Sequence, residues 1–304
     1  MTQRLTPRLA LLLTVPPLMW AGNAVVGKLA VGAAPPIGLN LARWLLAFAL
    51  LWPLGRAALL DRAALRQNWR YLSLLGLLGM GSYNALQYLA LHTSTPLNAT
   101  LITASSPVWM LGIGALFYGV QPRGRELLGA FLSLLGVALV ISRGEPARLL
   151  ELSFVPGDLL MLLAILSWGV YSWLLARPPA GMQGERRPAW DWAGFLLVQI
   201  AFGLVWCTLS AGVEAVVSPA QWQATPQVAL ILLYVAIGPS LIAYRCWGLG
   251  VATVGPAVAG FFVNLTPVFA AVLSAALLGE APQLFHAAAF GLIVAGIAIS
   301  SRHG

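Results

Sequence analysis

The sequence predicts an all-α integral membrane protein in which ten transmembrane helices form two inverted five-helix repeats. Of the 304 residues, 60% are hydrophobic and only 9% are charged, whereas soluble domains carry about 25% charged residues. Apolar runs long enough to cross a bilayer recur along the whole chain. The two halves also match each other when the chain is shifted by 160 residues.

The apolar runs define the predicted spans. They are Leu9–Val31, Ile37–Leu54, Trp69–Leu91, Leu97–Gly119, Gly124–Ser142, Val155–Ala176, Trp190–Ala211, Val228–Leu249, Pro256–Leu278 and Leu284–Ser300. The connections between these runs are too short to hold a soluble domain. We expect the first run to be a retained helix and not a cleaved signal sequence, because it is long and contains Lys28.

Basic residues indicate the orientation in the membrane. If ten helices alternate, twelve basic residues fall on one side, namely Arg4, Arg8, Arg56, Arg62, Arg66, Arg70, Arg123, Arg125, Arg177, Arg186, Arg187 and Arg302. The opposite side carries only Arg143 and Arg148. The positive-inside rule then places both termini in the cytoplasm of a bacterial-type inner membrane. The net charge of +8 therefore marks topology. The lipid bilayer and not nucleic acid is the expected partner; no protein partner is evident, and the sequence is compatible with a monomer.

Landmark residues recur at the 160-residue offset. The matched pairs are Pro96 and Pro256, Pro107 and Pro267, Gly119 and Gly279, Pro122 and Pro282, and Gly136 and Gly296. At another offset Trp20 aligns with Trp168. We therefore predict two repeats, 1–144 and 155–304. Because five is odd, the second repeat must insert upside down, and inverted repeats of this kind are typical of secondary transporters.

The stretch GNAVVGKL, Gly22–Leu29, resembles a phosphate-binding loop. Such a loop follows a strand, opens a helix and ends in Ser or Thr for magnesium. Here the stretch lies inside the first apolar run, and Leu29 takes the place of the hydroxyl residue. The sequence therefore predicts a membrane helix at this position and no nucleotide site.

Three cations lie within the predicted spans, and no Asp or Glu lies well inside one. The cations are Lys28, Arg43 and Arg245. A charge inside the membrane costs about 3 kcal/mol or more unless it meets a partner. The carboxylate or phosphate of a substrate is one candidate partner. Alternatively, Lys28 and Arg43 reach the membrane interface or bind helix carbonyls, and both interpretations stay open for all three cations.

Polar and aromatic residues at mid-membrane depth form the candidate substrate-binding set. Together with two of the cations, the set is Trp20, Asn23, Lys28, Arg43, Tyr83, Gln87, Asn98, Trp168, Tyr171, Tyr244 and Asn264. Each polar residue alone is typical of an interhelical hydrogen bond. Together they predict a central cavity with aromatic walls and few charges. Pro107 and Pro267, at matching depths of the two repeats, are predicted hinges, with packing kinks as the alternative.

The sequence shows no arrangement typical of an enzyme or of a metal site. The two cysteines lie inside spans, and the three histidines have no metal-ligand spacing. No nucleophile with an acid–base partner is visible. We therefore expect no catalysis, no metal and no cofactor.

Several strings resemble EamA-type members of the drug/metabolite transporter superfamily. They are WAGNAVVGK (20–28), LARWLLAF (41–48), LHTSTPLNATLITASSPVW (91–109) and NLTPVFAAVLSAALLGEAP (264–282). The resemblance covers essentially the whole chain. It implies ten helices in two inverted repeats and export of small metabolites, prominently amino acids, through a central cavity. One departure is that Glu280 follows Gly279 in the second repeat, whereas Val120 follows Gly119 in the first.

The combined expectation is a transporter that exports small organic metabolites by alternating access. A neutral amino acid with an aromatic or hydrophobic side chain is the leading substrate class. A phosphorylated or nucleotide-linked metabolite is the alternative, and a passive channel is a second one. Because no carboxylate lies at membrane depth, we expect flux to follow the gradient of the substrate itself.

Overall fold

The computed structural model of the chain describes residues 5–30, 32–90, 92–94, 96–151, 153–218, 222–278 and 283–301. These residues form α-helices and no strand, so the all-α class is confirmed. The helices are α1 (Pro7–Ala30), α2 (Pro36–Leu60), α3 (Arg62–Leu75), α4 (Tyr83–Ala90), α5 (Pro96–Ala104), α6 (Ser106–Tyr118), α7 (Gly124–Ile141), α8 (Pro156–Ala176), α9 (Trp192–Val217), α10 (Pro226–Val235), α11 (Ala243–Val254), α12 (Pro256–Val263), α13 (Thr266–Leu278) and α14 (Leu284–Ser300). Two π-helical segments, Gly76–Ser82 and Ala236–Ile242, join α3 to α4 and α10 to α11.

Several helical segments are long and apolar enough to cross a membrane. Among the described residues there are 6, namely Pro36–Leu60, Gly124–Ile141, Pro156–Ala176, Trp192–Val217, Pro226–Val254 and Pro256–Leu273. Helices α5 and α6, bent by 42° at their junction, give up to 7 if they form one span. Apart from residues at some span ends, the described residues of all ten predicted spans lie on one helix or on consecutive helical segments, but the number of ten membrane crossings stays a prediction.

The outer surface of the bundle is apolar. Large aliphatic and aromatic side chains project from it, for example Leu11 (72% exposed), Leu116 (81%), Phe117 (75%) and Val216 (83%). Water-soluble monomers rarely expose apolar surface on this scale. In a bilayer these side chains face lipid.

Helices α2 and α9 pack in antiparallel directions along their length. At one end, the backbone N–H groups of Ile37 and Gly38 donate to Glu214 of α9 at 3.0 and 2.7 Å. At the other end, a Cβ on Gly55 would lie 2.7 Å from the carbonyl oxygen of Ala193, so this approach requires glycine. The helices continue beyond the predicted span ends at Leu54 and Ala211. The added turns contain Gly55 and Glu214, which form these contacts.

Helices α7 and α14 form a second antiparallel pair. A Cβ on Gly129 would lie 2.7 Å from the carbonyl oxygen of Gly296, and a Cβ on Gly136 would lie 2.8 Å from that of Ala289. Small residues at such an interface let helix backbones approach closely, which is a common way to join helices in lipid. Each of the two pairs is therefore held together by close backbone packing.

Irregular helix geometry recurs at the 160-residue offset. The π-helical segments begin at Gly76 and Ala236 and end at Ser82 and Ile242. The break between α5 and α6 falls at Ser105, and the break between α12 and α13 falls at 264–265. Glycines favour the irregularity in the first segment, and Gly238-Pro239 favours it in the second. These interruptions free backbone carbonyls in the middle of the bundle.

Candidate substrate-binding site

Six aromatic side chains meet where α1, α4, α8 and α11 pack together. We call this group the aromatic cluster; it consists of Trp20, Tyr83, Trp168, Tyr171, Tyr244 and Trp247. Trp168 lies at its centre, with ring centroids 5.1–5.4 Å from the other five rings, beginning with Trp20 at 5.2 Å and Tyr171 at 5.1 Å. Trp168, Tyr171, Tyr244 and Trp247 are buried. Edge-on and tilted arrangements of this kind are the favoured geometries of aromatic pairs.

Five of these six residues belong to the predicted substrate-binding set, and the structure brings them together. Trp20 and Trp168, which the sequence aligns between the halves, contact each other with an interplanar angle of 89°. Trp247 was not predicted. It follows Tyr244 by three positions and so shares its face of α11, which is the signal that would have found it.

Carbonyls of the two π-helical segments hold the cluster in place. Tyr244 donates its hydroxyl hydrogen to the carbonyl oxygen of Gly79, and Trp20 donates from Nε1 to that of Pro239 at 3.4 Å. These carbonyls are available because a π-helical turn does not satisfy the regular i→i−4 pattern. π-Helical turns are frequent at functional sites.

Arg43 lies in the interior of the bundle, with only 1% of its surface exposed. Its Nε donates to Ser240 Oγ at 3.0 Å, and its Nη1 donates to Asn84 Oδ1 at 3.1 Å and to Tyr88 Oη at 3.4 Å. The structure therefore excludes the interpretation in which Arg43 extends to the membrane interface. The place of Arg43 near the end of a predicted span does not indicate that it is buried in the core and donates hydrogen bonds to three other side chains.

No carboxylate neutralises Arg43 within the described part of the chain. The ion pair found among the described residues joins Arg148 and Glu145 at 2.8 Å, and both residues are far from Arg43 in the sequence. All three acceptors around Arg43 are neutral, and its Nη2 donates to none of the described residues. A buried cation without a counter-ion is costly, and it is a candidate functional group by default.

The buried cation adjoins the aromatic cluster. The guanidinium carbon of Arg43 lies 5.4 Å from the ring centroid of Trp44. Trp44 is fully buried and its ring lies 5.1 Å from that of Tyr244. A positive charge and an aromatic surface are thus neighbours in one region of the interior. Trp44 and Asn84, like Trp247, are residues of this region that the sequence did not single out.

Buried amides without hydrogen-bond partners lie on α1 and at the break between α12 and α13. Asn264 has 0% exposure, and neither its Oδ1 nor its Nδ2 has a partner. Asn23 is 6% exposed with an unpartnered Oδ1. Such groups cost about 1–3 kcal/mol each, so their presence in a folded interior calls for an explanation. Both belong to the predicted set.

Other predicted residues lie elsewhere or lack a described environment. Asn98 donates from Nδ2 to Asp158 Oδ2 at 2.7 Å and to the carbonyl oxygen of Ser153 at 2.8 Å, near the first turn of α8. Ten residues of helix, about 15 Å, separate Asp158 from Trp168. Gln87 is half-buried on α4, one turn from Tyr83. The side chain of Lys28 and the whole of Glu280 lie outside the described residues.

The predicted hinge residues lie at the starts of helices. Pro107 is buried in the first turn of α6, directly after the 42° bend. Pro267 lies at the corresponding position of α13. A Cβ on Gly260 of α12 would lie 3.5 Å from Pro107 Cα, so the two interrupted helices approach each other closely. Whether the prolines act as hinges stays a prediction.

Comparison with known proteins identifies the family. The model of the EamA-like transporter family matches this chain twice, at residues 8–142 and 155–302. The chain belongs to the EamA-like transporter family. It is therefore a multi-pass membrane transporter, as the resemblance of its motifs implied.

Several known transporters are similar to this chain over nearly its whole length. An uncharacterized transporter of Archaeoglobus fulgidus is 28% identical over 96% of both chains. The aromatic amino acid exporter YddG of Ancylobacter novellus is 26% identical over 93% of both chains. A probable terminal-alkyne amino-acid exporter of Streptantibioticus cattleyicolor is 26% identical over 96% of this chain and 92% of its own. A solved crystal structure with 24% identity shares the fold, with a TM-score of 0.74 over 96% of this chain and 97% of that one.

Proposed function

We propose that this protein exports neutral amino acids with aromatic or hydrophobic side chains by alternating access. The observation that carries the proposal is the buried, unneutralised Arg43 beside the aromatic cluster. A carboxylate is the counter-ion that this guanidinium lacks, and Nη2 is the donor edge that faces no described partner. An apolar or aromatic side chain would pack against the rings of the cluster.

The interior also offers partners for the ammonium group of an amino acid. An ammonium group needs acceptors or aromatic faces. The unpartnered Oδ1 atoms of Asn23 and Asn264 are acceptors in the interior, and aromatic faces attract cations. A phosphorylated metabolite carries two negative charges, whereas Arg43 is the single cation among the buried residues of the described chain. The site therefore favours a carboxylate over a phosphate.

The arrangement of helices supports alternating access by two inverted repeats, 1–144 and 155–304. Helices at corresponding places in the halves, α2 with α9 and α7 with α14, run antiparallel. The π-helical segments and helix breaks recur at one offset, and the family model matches each half separately. Two copies of one unit in opposite orientation can exchange conformations and expose a central site to either side. The twelve-to-two distribution of basic residues favours cytoplasmic termini in the inner membrane.

The relatives support the substrate class. Two of them are named as exporters, one of aromatic amino acids and one of a terminal-alkyne amino acid. Their identity to this chain is 26% in each case. Within the proposal, the aromatic cluster explains why a large apolar side chain is accepted.

Counterflow in proteoliposomes tests the proposal. Vesicles preloaded with unlabelled phenylalanine should accumulate labelled phenylalanine transiently and with saturation, which a passive channel does not do. Arg43→Gln should lower the apparent affinity about tenfold to 100-fold, because a charged hydrogen bond contributes about 1.5–3 kcal/mol. Arg70→Gln, at an exposed arginine of α3, is the matched control and should leave uptake unchanged. Uptake that is linear in concentration, or equal in Arg43→Gln and wild type, would refute the proposal.

A further inference from the structure

A cavity whose lining does not include Arg43 lies between α3, α8, α9, α11 and the connection between α8 and α9. Its volume is about 270 Å³. Tyr171, Gln199 and Tyr244 form its inner wall, and Arg187 and Arg245 belong to its lining. The connection folds back over it, because Met182 is buried and lines the cavity as well. The many basic residues of this end of the bundle predict that it faces the cytoplasm.

The lining of this cavity is cationic. It contains two arginines and no Asp or Glu, and neither arginine forms an ion pair with a described carboxylate. Both arginines are exposed, and the guanidinium carbon of Arg245 lies 4.5 Å from the ring centroid of Trp192, which is a cation–π contact. Arg187 belongs to the connection on the other side. Two guanidinium groups with no acid beside them attract an anionic group of a ligand and disfavour a positively charged one.

The rest of the lining is apolar and aromatic. Five of its residues are aromatic, namely Tyr71, Tyr171, Trp192, Phe195 and Tyr244. Tyr171 donates to Gln199 Oε1 at 3.0 Å and Tyr71 donates to the carbonyl oxygen of Leu174 at 3.1 Å, so their hydroxyl hydrogens are already used within the protein. These walls would therefore contact a ligand mainly through their aromatic rings. Ligand cavities commonly hold about 300–1,000 Å³, and this smaller one suits an amino-acid-sized molecule better than a two-chain lipid.

We propose that this cavity binds small aromatic monocarboxylates and is the first binding position of an outgoing substrate. Its inner wall is shared with the aromatic cluster, because Tyr171 and Tyr244 line the cavity and contact Trp168. These two tyrosine rings thus connect the cavity with Trp168. The role as entry position rests on the proposed export function, but binding itself does not require it.

The absence of acids in the lining gives the cavity a distinct preference. 3-Phenylpropanoate carries one negative charge and a phenyl ring, and it lacks the ammonium group of phenylalanine. It should bind here more tightly than phenylalanine, because the lining offers no carboxylate to the ammonium group. A stronger response to phenylalanine than to 3-phenylpropanoate at this cavity would overturn the assignment of a monoanion.

Calorimetry of 3-phenylpropanoate with the purified protein in nanodiscs of neutral lipid tests the site. Arg187→Gln with Arg245→Gln should weaken binding about tenfold or more. Arg62→Gln with Arg66→Gln removes the same charge from exposed positions of α3 on the same end of the bundle, and it should leave binding unchanged. Equal loss in both double variants would show general surface attraction and would overturn the proposal, as would no binding by the wild type.

A second pair of variants fills the cavity without changing its charge. Gly248 lines the cavity, and a Cβ placed on it meets nothing within 4 Å, so Gly248→Leu enters open space and leaves α11 intact. It should abolish 3-phenylpropanoate binding. Gly212→Leu, at a position of α9 with equally open surroundings, is the matched control and should retain it. Binding that persists in Gly248→Leu would contradict the assigned place.

Two further comparisons separate this proposal from its rivals. Phosphatidylglycerol added to the nanodiscs should change binding no more than salt does; complete displacement would show that an anionic lipid occupies the cavity and would overturn the proposal. Phenylalanine counterflow in the wild type, compared with that in Arg43→Gln, tests the transport function independently. If 3-phenylpropanoate binds as expected while wild-type counterflow is absent or Arg43→Gln transports like wild type, the proposed function falls and the binding site stands. If counterflow behaves as proposed but 3-phenylpropanoate does not bind, only the site is removed.

Discussion

Arg43 and Asp158 are both charged side chains buried in the helical bundle, with 1% and 5% of their surfaces exposed, yet their surroundings differ. Asp158 accepts hydrogen bonds from Ser94 Oγ, from Asn98 Nδ2 at 2.7 Å and from the backbone N–H of Val155 at 3.0 Å. It also lies in the first turn of α8, where the helix dipole favours negative charge. Arg43 receives only neutral acceptors at Nε and Nη1.

The difference separates a structural charge from one that lacks a counter-ion. Asp158 joins three segments of chain, since Ser94, Asn98 and Val155 come from different positions around the start of α8. Both of its oxygens are used. Arg43 retains a donor edge and a full positive charge in a region with aromatic rings. Burial alone therefore does not distinguish the two roles; the completeness of the hydrogen-bond set does.

The largest expected effect on stability is at Asp158. Asp158→Ala removes the acceptor for three donors and the favourable charge at the start of α8, so the free energy of unfolding should fall by about 3 kcal/mol or more, because each buried donor left without an acceptor costs about 1–3 kcal/mol. Arg43→Met should change it by about 1 kcal/mol or less, because an unneutralised buried charge contributes little net stability. Thermal unfolding of both variants in the same detergent measures the contrast. Equal losses would show that Arg43 is as structural as Asp158.

The next effect concerns the aromatic cluster. Trp20→Ala removes ring area that contributes about 1–3 kcal/mol if it contacts an apolar ligand, so the apparent affinity for phenylalanine should fall about tenfold or more. Trp222→Ala, at an exposed tryptophan in the segment before α10, serves as the control and should leave affinity unchanged. Concentration-dependent counterflow measures both. Unaltered affinity in Trp20→Ala would place the substrate away from the cluster.

A smaller effect with opposite signs on stability and transport is expected at Asn264. Asn264→Leu replaces a fully buried amide that has no partner by an apolar group of similar size. The free energy of unfolding should rise by about 1 kcal/mol, while transport should fall if this amide binds the ammonium group. Chemical unfolding together with counterflow would measure the two quantities. A destabilised Asn264→Leu variant would mean that the amide is bonded in the folded protein.

No effect is expected from a proton gradient. Asp158 is the carboxylate found among the buried residues that the structure describes, and both of its oxygens accept hydrogen bonds from within the protein. An imposed gradient should therefore not concentrate substrate in proteoliposomes. Uphill accumulation that disappears in Asp158→Asn would overturn the division between the two charges, since Asp158 would then carry protons.

Sequence patterns predicted which residues meet in the interior better than they predicted which residue contacts which. The alignment of Trp20 with Trp168 predicted equivalent residues, and the structure shows that these two rings touch. The burial of Arg43 could not be predicted, because a cation near the end of a span is compatible with extension to the interface. Its acceptors come from α4 and from the second π-helical segment, and such long-range neighbours leave no local periodicity.

Asn98 illustrates the opposite case. Its depth and its amide predicted a substrate contact, but its described hydrogen bonds lead to Asp158 and to the carbonyl of Ser153. Depth along a span does not specify which neighbour a side chain faces. The recurrence of the π-helical segments was partly visible, since the 160-residue offset was clear, but the geometry itself depends on tertiary packing.

The π-helical segments also determine which way the following residues point. One residue more or less in a helix rotates everything beyond it by about 100°. Asn84, which binds Arg43, and Tyr244, which binds Gly79, each follow such a segment after one ordinary position and are separated by 160 residues. Deletion of a single residue from either segment would restore a regular helix and turn these side chains away from the interior. The orientation of each half's interior face thus depends on how many residues these segments contain, as well as on the glycines and the proline within them.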